Sequence, residues 1–201
     1  MTERLTTQDW IDFAMTTLAR DGADALKADI LARKLGVSRG SFYWHFTDLG
    51  DFHARVIEHW RQTTTEAIIA DIERHESRER RLEALLRRAF AHGAALEVRM
   101  RAWADANPLA ARAVAEVDRR RRDYLEQLLA EAGVAPTVAA ARAQLLYWTY
   151  LGAALSRTRT PAERVERIVA ELKLLALGGR AQNAAAAPTK RARANREIKL
   201  P

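Results

Sequence analysis

Between a few glycine and proline positions, the apolar residues of this chain recur at helical spacing and do not alternate over the length of a strand. An all-α fold is therefore predicted, with glycine and proline as punctuation. The first helix opens with Thr6 and Asp9 in a capping-box pattern, carries Trp10, Phe13, Ala14, Thr17 and Leu18 on one face, and stops at Gly22. Leu31, Leu35 and Val37 lie in a second, short element broken by Gly36, and a third begins after Ser38 with Phe42, Tyr43 and Phe46 close together. Farther on, helical patterns cover roughly 49 to 75 and 79 to 95, and Pro108 opens a run to Ala132 as a first-turn proline, ended by Gly133 and Pro136. Two last patterns cover about 137 to 157 and 161 to 177; Pro161 opens the second of these and Gly178-Gly179 closes it.

Composition narrows the class. With 48% hydrophobic residues the chain is too apolar for wholesale disorder. It has no cysteine, which removes disulfide frameworks, cysteine zinc sites and cysteine nucleophiles and fits a reducing compartment, so a cytoplasmic protein is expected. No apolar run is long enough for a membrane span, Met1 to Asp9 is polar, and no membrane partner is expected. The net charge is +7, but Gly179 to Pro201 carries +5 of it, leaving +2 for residues 1–178. The high pI is thus mostly a tail property and does not by itself argue for nucleic acid. Residues 180–201 are predicted to be a disordered basic tail that adds salt-sensitive, sequence-independent DNA affinity.

The segment Leu31 to Phe46 carries the functional signal. A helix-turn-helix needs a helix, a short turn usually holding glycine, and a second helix presented to solvent. Gly36 can take the left-handed conformation that ends the first helix, Val37 can insert between the two helices, and Ser38 can cap the second. Phe42 and Phe46 are four apart and share a core face, as expected for packing together with Trp10 and Leu18. Arg39, Gly40, Ser41, Tyr43, Trp44 and His45 fall elsewhere and leave polar aromatic groups near solvent, as a helix docked in a major groove requires. For Trp44, packing under its own helix remains the other reading.

Gly36-Val37-Ser38 followed by Ser41-Phe42-Tyr43-Trp44-His45-Phe46, preceded by a capped helix ending at Gly22, resembles the DNA-binding domain of the tetracycline-repressor (TetR) family of bacterial regulators. The motif resemblance covers about residues 5 to 60, and beyond it only length and helical layout agree. The resemblance implies a helix-turn-helix head, a larger helical domain that binds an inducing ligand, and a homodimer formed chiefly by the last two helices. By position it implies phosphate contacts from Tyr43 and His45, groove-facing roles for Arg39, Gly40, Ser41 and Trp44, and a backbone contact from Lys27, with Ser38 at the start of the recognition helix. Leu49 stands where the family usually has a lysine, so no phosphate contact is expected there; Lys27 and Arg39 are expected to carry more of the electrostatics. The domains are read as 1–48 for the head, 49–179 for the ligand-binding and dimerisation domain, and 180–201 for the tail.

In the larger domain, Trp60, Phe90, His92, Met100, Trp103, Tyr124, Tyr147 and Trp148 are the candidate ligand contacts, each with ordinary core packing as the alternative. Arg119 to Arg122, flanked by Asp118 and Asp123, reads as a solvated helix face rather than a second DNA site. Small residues around Gly152, interleaved with Leu145, Trp148 and Leu155, pair with Ile168, Val169 and Leu172 as the candidate dimer interface; a purely intramolecular core is the alternative. The five histidines show no metal spacing, and no metal or cofactor is expected. No nucleophile elbow, phosphate loop or cysteine supports an enzyme. The function expected is a sequence-specific repressor that binds a palindromic operator in double-stranded DNA as a homodimer and is released by a small apolar effector. The alternative is a DNA-binding architectural or activating protein without an effector.

Overall fold

The computed structural model describes residues 5–75, 77–91, 95–156 and 160–178. Helix α1 (Thr7–Asp21) starts at the expected box: Thr6 Oγ1 accepts from Asp9 N–H, and the Asp9 carboxylate accepts in return from Thr6 N–H at 2.7 Å. A 3₁₀ turn (Ala23–Ala25) leads to α2 (Ala28–Leu35), which ends on Gly36 at φ +70°. There a side chain would strain the backbone, and the left-handed residue lets Val37 N–H close back on Ala32 O at 3.0 Å. Helix α3 (Arg39–Tyr43) follows at once. Ser38 holds the cap position with an extended backbone, but its hydroxyl makes no capping bond; the turn is closed by Ser41 N–H on the Ser38 carbonyl.

Asp48 caps α4 (Leu49–Arg61), which passes through a π-turn (Gln62–Glu66) into α5 (Ala67–Glu73) as one continuous rod. The remaining elements are α6 (Arg78–Ala91), α7 (Ala95–Ala104), α8 (Pro108–Glu131), α9 (Pro136–Leu155) and α10 (Ala162–Leu177). Among the described residues every regular element is helical. Helix α7 is absent from the sequence reading, which left 96 to 107 unassigned. Its Leu96, Met100, Trp103 and Ala104 recur at helical spacing and pack on the head's core, while Glu97, also buried, faces the larger domain.

Two cores result. Trp10, Leu31, Phe42 and Phe46 of the head pack against Phe52, Val56 and Trp60 of α4, and the same cluster runs on through Met100, Trp103, Val114 and Val117. The rings of Phe42, Trp10 and Phe52 meet edge to face at 5.5 and 5.1 Å, a geometry favoured by the ring quadrupoles. The second core gathers Leu82, Leu86, Leu125, Leu129, Ala143, Leu146 and Val169 from α6, α8, α9 and α10. Helix α4 therefore belongs to the head's core while its continuation α5 packs Ile69 and Ile72 on Tyr124 and Leu128.

Candidate DNA-binding surface and ligand cavity

Burying Phe42 and Phe46 fixes the rotation of α3, and its other residues turn outward. Lys27, Ser38, Arg39 and Gly40 are exposed, Tyr43 is 48% and Trp44 77% exposed, and Ser41 and His45 are half-buried. The Arg39 guanidinium donates to the Tyr43 hydroxyl at 3.1 Å and lies 5.6 Å from its ring, so the two side chains form one unit on the outer face. The His45 ring Nδ1 lies 3.1 Å from Thr7 Oγ1, which ties the end of the recognition segment to the start of α1. Leu49, where a lysine was missed, is 37% exposed. The surface thus offers cation, hydroxyl and indole side by side, the groups that meet phosphate oxygens and base edges.

A cavity of about 310 Å³ opens between α4, α5, α6, α7, α8 and α9. Leu85, Leu86, Leu96, Leu125, Leu146, Ile68 and Ile69 make most of its wall apolar. Trp60, Phe90, Tyr124 and Tyr147 of the expected ligand contacts line it. Met100 and Trp103 do not; they are buried in the head-facing core. Trp148 is 61% exposed on the outer side of α9, and His92 lies outside the described residues.

One end of the cavity is polar. Glu97, 5% exposed, takes Arg121 on Oε2 at 2.9 Å and Arg101 on Oε1 at 2.9 Å, with the Tyr150 hydroxyl donating to Oε2 at 3.3 Å. Arg101 also grips Asp118 at 2.6 Å, and Tyr147 donates to the same carboxylate oxygen at 2.6 Å. Burial opposes the charge on Arg121, but the Glu97 carboxylate outweighs it and keeps the guanidinium more firmly protonated than usual. Burial, reinforced by Glu97, pushes the Tyr150 phenol up to about 12, and burial with the bond to Asp118 raises that of Tyr147 as well. These phenols are therefore neutral donors near neutral pH. Opposite charges are matched inside the wall, as buried ion pairs require.

Residues 11–48 match the model of the tetR family of bacterial regulatory proteins. Over this segment the chain is an N-terminal domain of the tetR family. The match runs from within α1 through the helix-turn-helix to Asp48, the cap of α4. A transcriptional regulator from Rhodococcus sp. Rha1 shares the fold at a TM-score of 0.70, with 20% identity over 92% of this chain and 100% of that one. A transcriptional regulator from Saccharomonospora viridis in complex with choline gives 0.66 and 13%, covering 82% of this chain and 93% of its own. The ketosteroid transcriptional regulator of Mycobacterium tuberculosis gives 0.60 and 16%, covering 89% and 95%. No curated protein sequence matches the chain.

Sequence reasoning missed the polar residues of this cavity, Arg121 above all. The Arg119 to Arg122 run was expected to be a solvated face, whereas the Arg121 side chain is 14% exposed and points inward. A signal existed: Arg121 follows Val117 by four and precedes Tyr124 and Leu125 by three and four, so it lies in the buried stripe of α8. On the outside, Leu145, Trp148, Gly152 and Leu155 form one exposed stripe on α9, joined by Leu174 and Leu175 of α10 at 65% and 69% exposure. Of the expected interface residues on α10, Val169 is buried within the subunit and Ile168 and Leu172 are half-buried. Among the described residues no group of three or more acidic or histidine side chains could hold a metal, and no helix is long and apolar enough to cross a membrane.

Proposed function

We propose that this TetR-type regulator is a repressor that leaves a palindromic operator when a small, mainly apolar molecule enters the cavity. The observation carrying the reading is the reach of Arg121 from the cavity wall into the π-turn: it donates to Thr65 Oγ1 at 3.0 Å and to Thr64 O at 3.2 Å. That turn continues directly into α4, whose Phe52, Val56 and Trp60 are part of the head's core. A ligand that favours one setting of Arg121 therefore favours one setting of α4 and of the head, which is the differential affinity a switch needs. A coupling of about 1–3 kcal/mol changes operator affinity about 5- to 150-fold. One solved regulator of the same fold in complex with choline and another named for ketosteroids support a small-molecule effector in general.

In this reading the exposed stripe of α9 and α10 joins two copies across a two-fold axis, so that two recognition helices meet half-sites about 34–36 Å apart or a multiple of that. Arg39, Gly40, Ser41 and Trp44 face the groove, and Lys27, Ser38, Tyr43 and His45 meet the backbone. Selecting bound duplexes from a random DNA pool, then titrating the selected site with and without a panel of small molecules, tests the reading. A palindrome whose affinity falls at least fivefold with one of them is expected. An operator affinity indifferent to every molecule that enters the cavity would refute release by ligand and favour an architectural or activating protein.

A further inference from the structure

The polar end of the cavity has the makings of a cation site that already contains a cation. Trp60 and Tyr150 supply ring faces and Glu97 a buried carboxylate, the combination that recognises ammonium groups. The guanidinium of Arg121 occupies it, 5.9 Å from the Trp60 ring centre, 5.8 Å from that of Tyr150, and bonded to Glu97. A second positive group would meet Arg121 in a setting of low dielectric, with no carboxylate oxygen of Glu97 left unbonded. An anion fares no better, because the charge on Arg121 is already matched by Glu97; Arg88, the other cation on the wall, is exposed at its edge.

Two further polar groups belong to residues of the same wall but are sealed from the cavity, so charge does the sorting. The Trp60 indole Nε1 and the Tyr124 hydroxyl are buried and make no hydrogen bond among the described residues.

Resting on the ligand-responsive reading above, we propose that Arg121 is the specificity-determining residue of the cavity: it fills the cation seat from within and so selects uncharged, mostly apolar molecules, a neutral ketone over either ion of the same chain length. Three probes with the same eight-carbon chain, a methyl ketone, a carboxylate and a trimethylammonium, separate the possibilities by calorimetric titration of the full chain without DNA. The wild type is expected to bind the ketone at least about tenfold more tightly than either ion. In Arg121→Met the trimethylammonium should gain about tenfold to thirtyfold, as an opened aromatic and carboxylate seat allows, while the ketone changes less than threefold. In Glu97→Gln/Arg121→Met that gain should vanish, since the seat has lost its charge.

Circular dichroism establishes whether each variant is folded, and the wild-type ranking decides the matter without them. A wild type that binds the trimethylammonium or the carboxylate within threefold of the ketone overturns the assignment while leaving ligand-responsive repression standing. Failure of all three probes to bind removes the cavity as a ligand site and both readings with it. Ketone binding that leaves operator affinity unchanged spares this assignment and overturns only the repressor reading.

Discussion

Trp148→Ala is the sharpest test of the proposed assembly. A tryptophan buries about 150–250 Å² in a packed interface, and this one is 61% exposed in the single subunit. About 120 Å² per copy is thus open to a partner, worth about 3 kcal/mol at ~25 cal/mol per Å². A two-fold interface contains the residue twice, which sets an upper value near 6 kcal/mol for the dimer; if the partner covers only half the area, about 3 kcal/mol remains. At 1.4 kcal/mol per tenfold, the lower value weakens dimerisation about a hundredfold. Sedimentation velocity over a concentration series reads the dissociation constant directly. Because Trp148 lies on the outer side of α9, the helical content of the variant should match that of the wild type. A folded Trp148→Ala protein with an unchanged dimer dissociation constant would remove α9 from the interface. If the dimer weakens, palindrome binding should become steeply concentration-dependent.

Tyr43→Ala should weaken binding to all duplexes similarly, whereas Arg39→Ala should change base preference at one position. Because the two side chains are bonded at 3.1 Å, their effects on operator affinity should be non-additive by about 0.5 kcal/mol or more in a double-mutant cycle; strict additivity would refute the unit. Phe42→Ala empties the centre of the head's aromatic cluster and should cost about 3–5 kcal/mol in urea unfolding. A loss under 1 kcal/mol would contradict that packing. At alkaline pH the unfolded chain's phenols ionise near 10, while burial holds those of Tyr124 and Tyr150 protonated to about 12. Unfolding then releases protons, so stability should fall as pH rises from about 10 to about 12 and be indifferent to these groups below that window. Tyr150→Phe should flatten part of the decline in urea midpoints measured across it; an unchanged slope would show that Tyr150 does not contribute.

What was legible in the sequence was whatever has a local cause. Thr6, Asp9 and Gly36 act through their own backbone neighbours, and the head could be outlined from them; Pro108 marked the start of α8 in the same way. Phe42 and Phe46 announced the core face, and the outward residues of α3 followed by subtraction. The cavity was not legible in the same way, since its polar end depends on charges brought together from α7 and α8 by tertiary packing. A guanidinium in a run of four arginines looks solvated until the helix is rotated against its neighbours, and Met100 and Trp103 look like ligand contacts until α7 is seen to turn them into the head's core. The basic residues of 180–201 lie outside the described residues.

The π-turn has one more consequence. Such a turn is an α-helix carrying one surplus residue, and each residue advances a helix by about 100°. Segment 62–66 therefore works as a clutch plate between two gears: it lets Val56 and Trp60 mesh with one core while Ile69 and Ile72 mesh with another. Removing any single residue from it would turn the isoleucines toward water while the upstream half kept its seat, so the length of this stretch is constrained more tightly than the identity of its threonines.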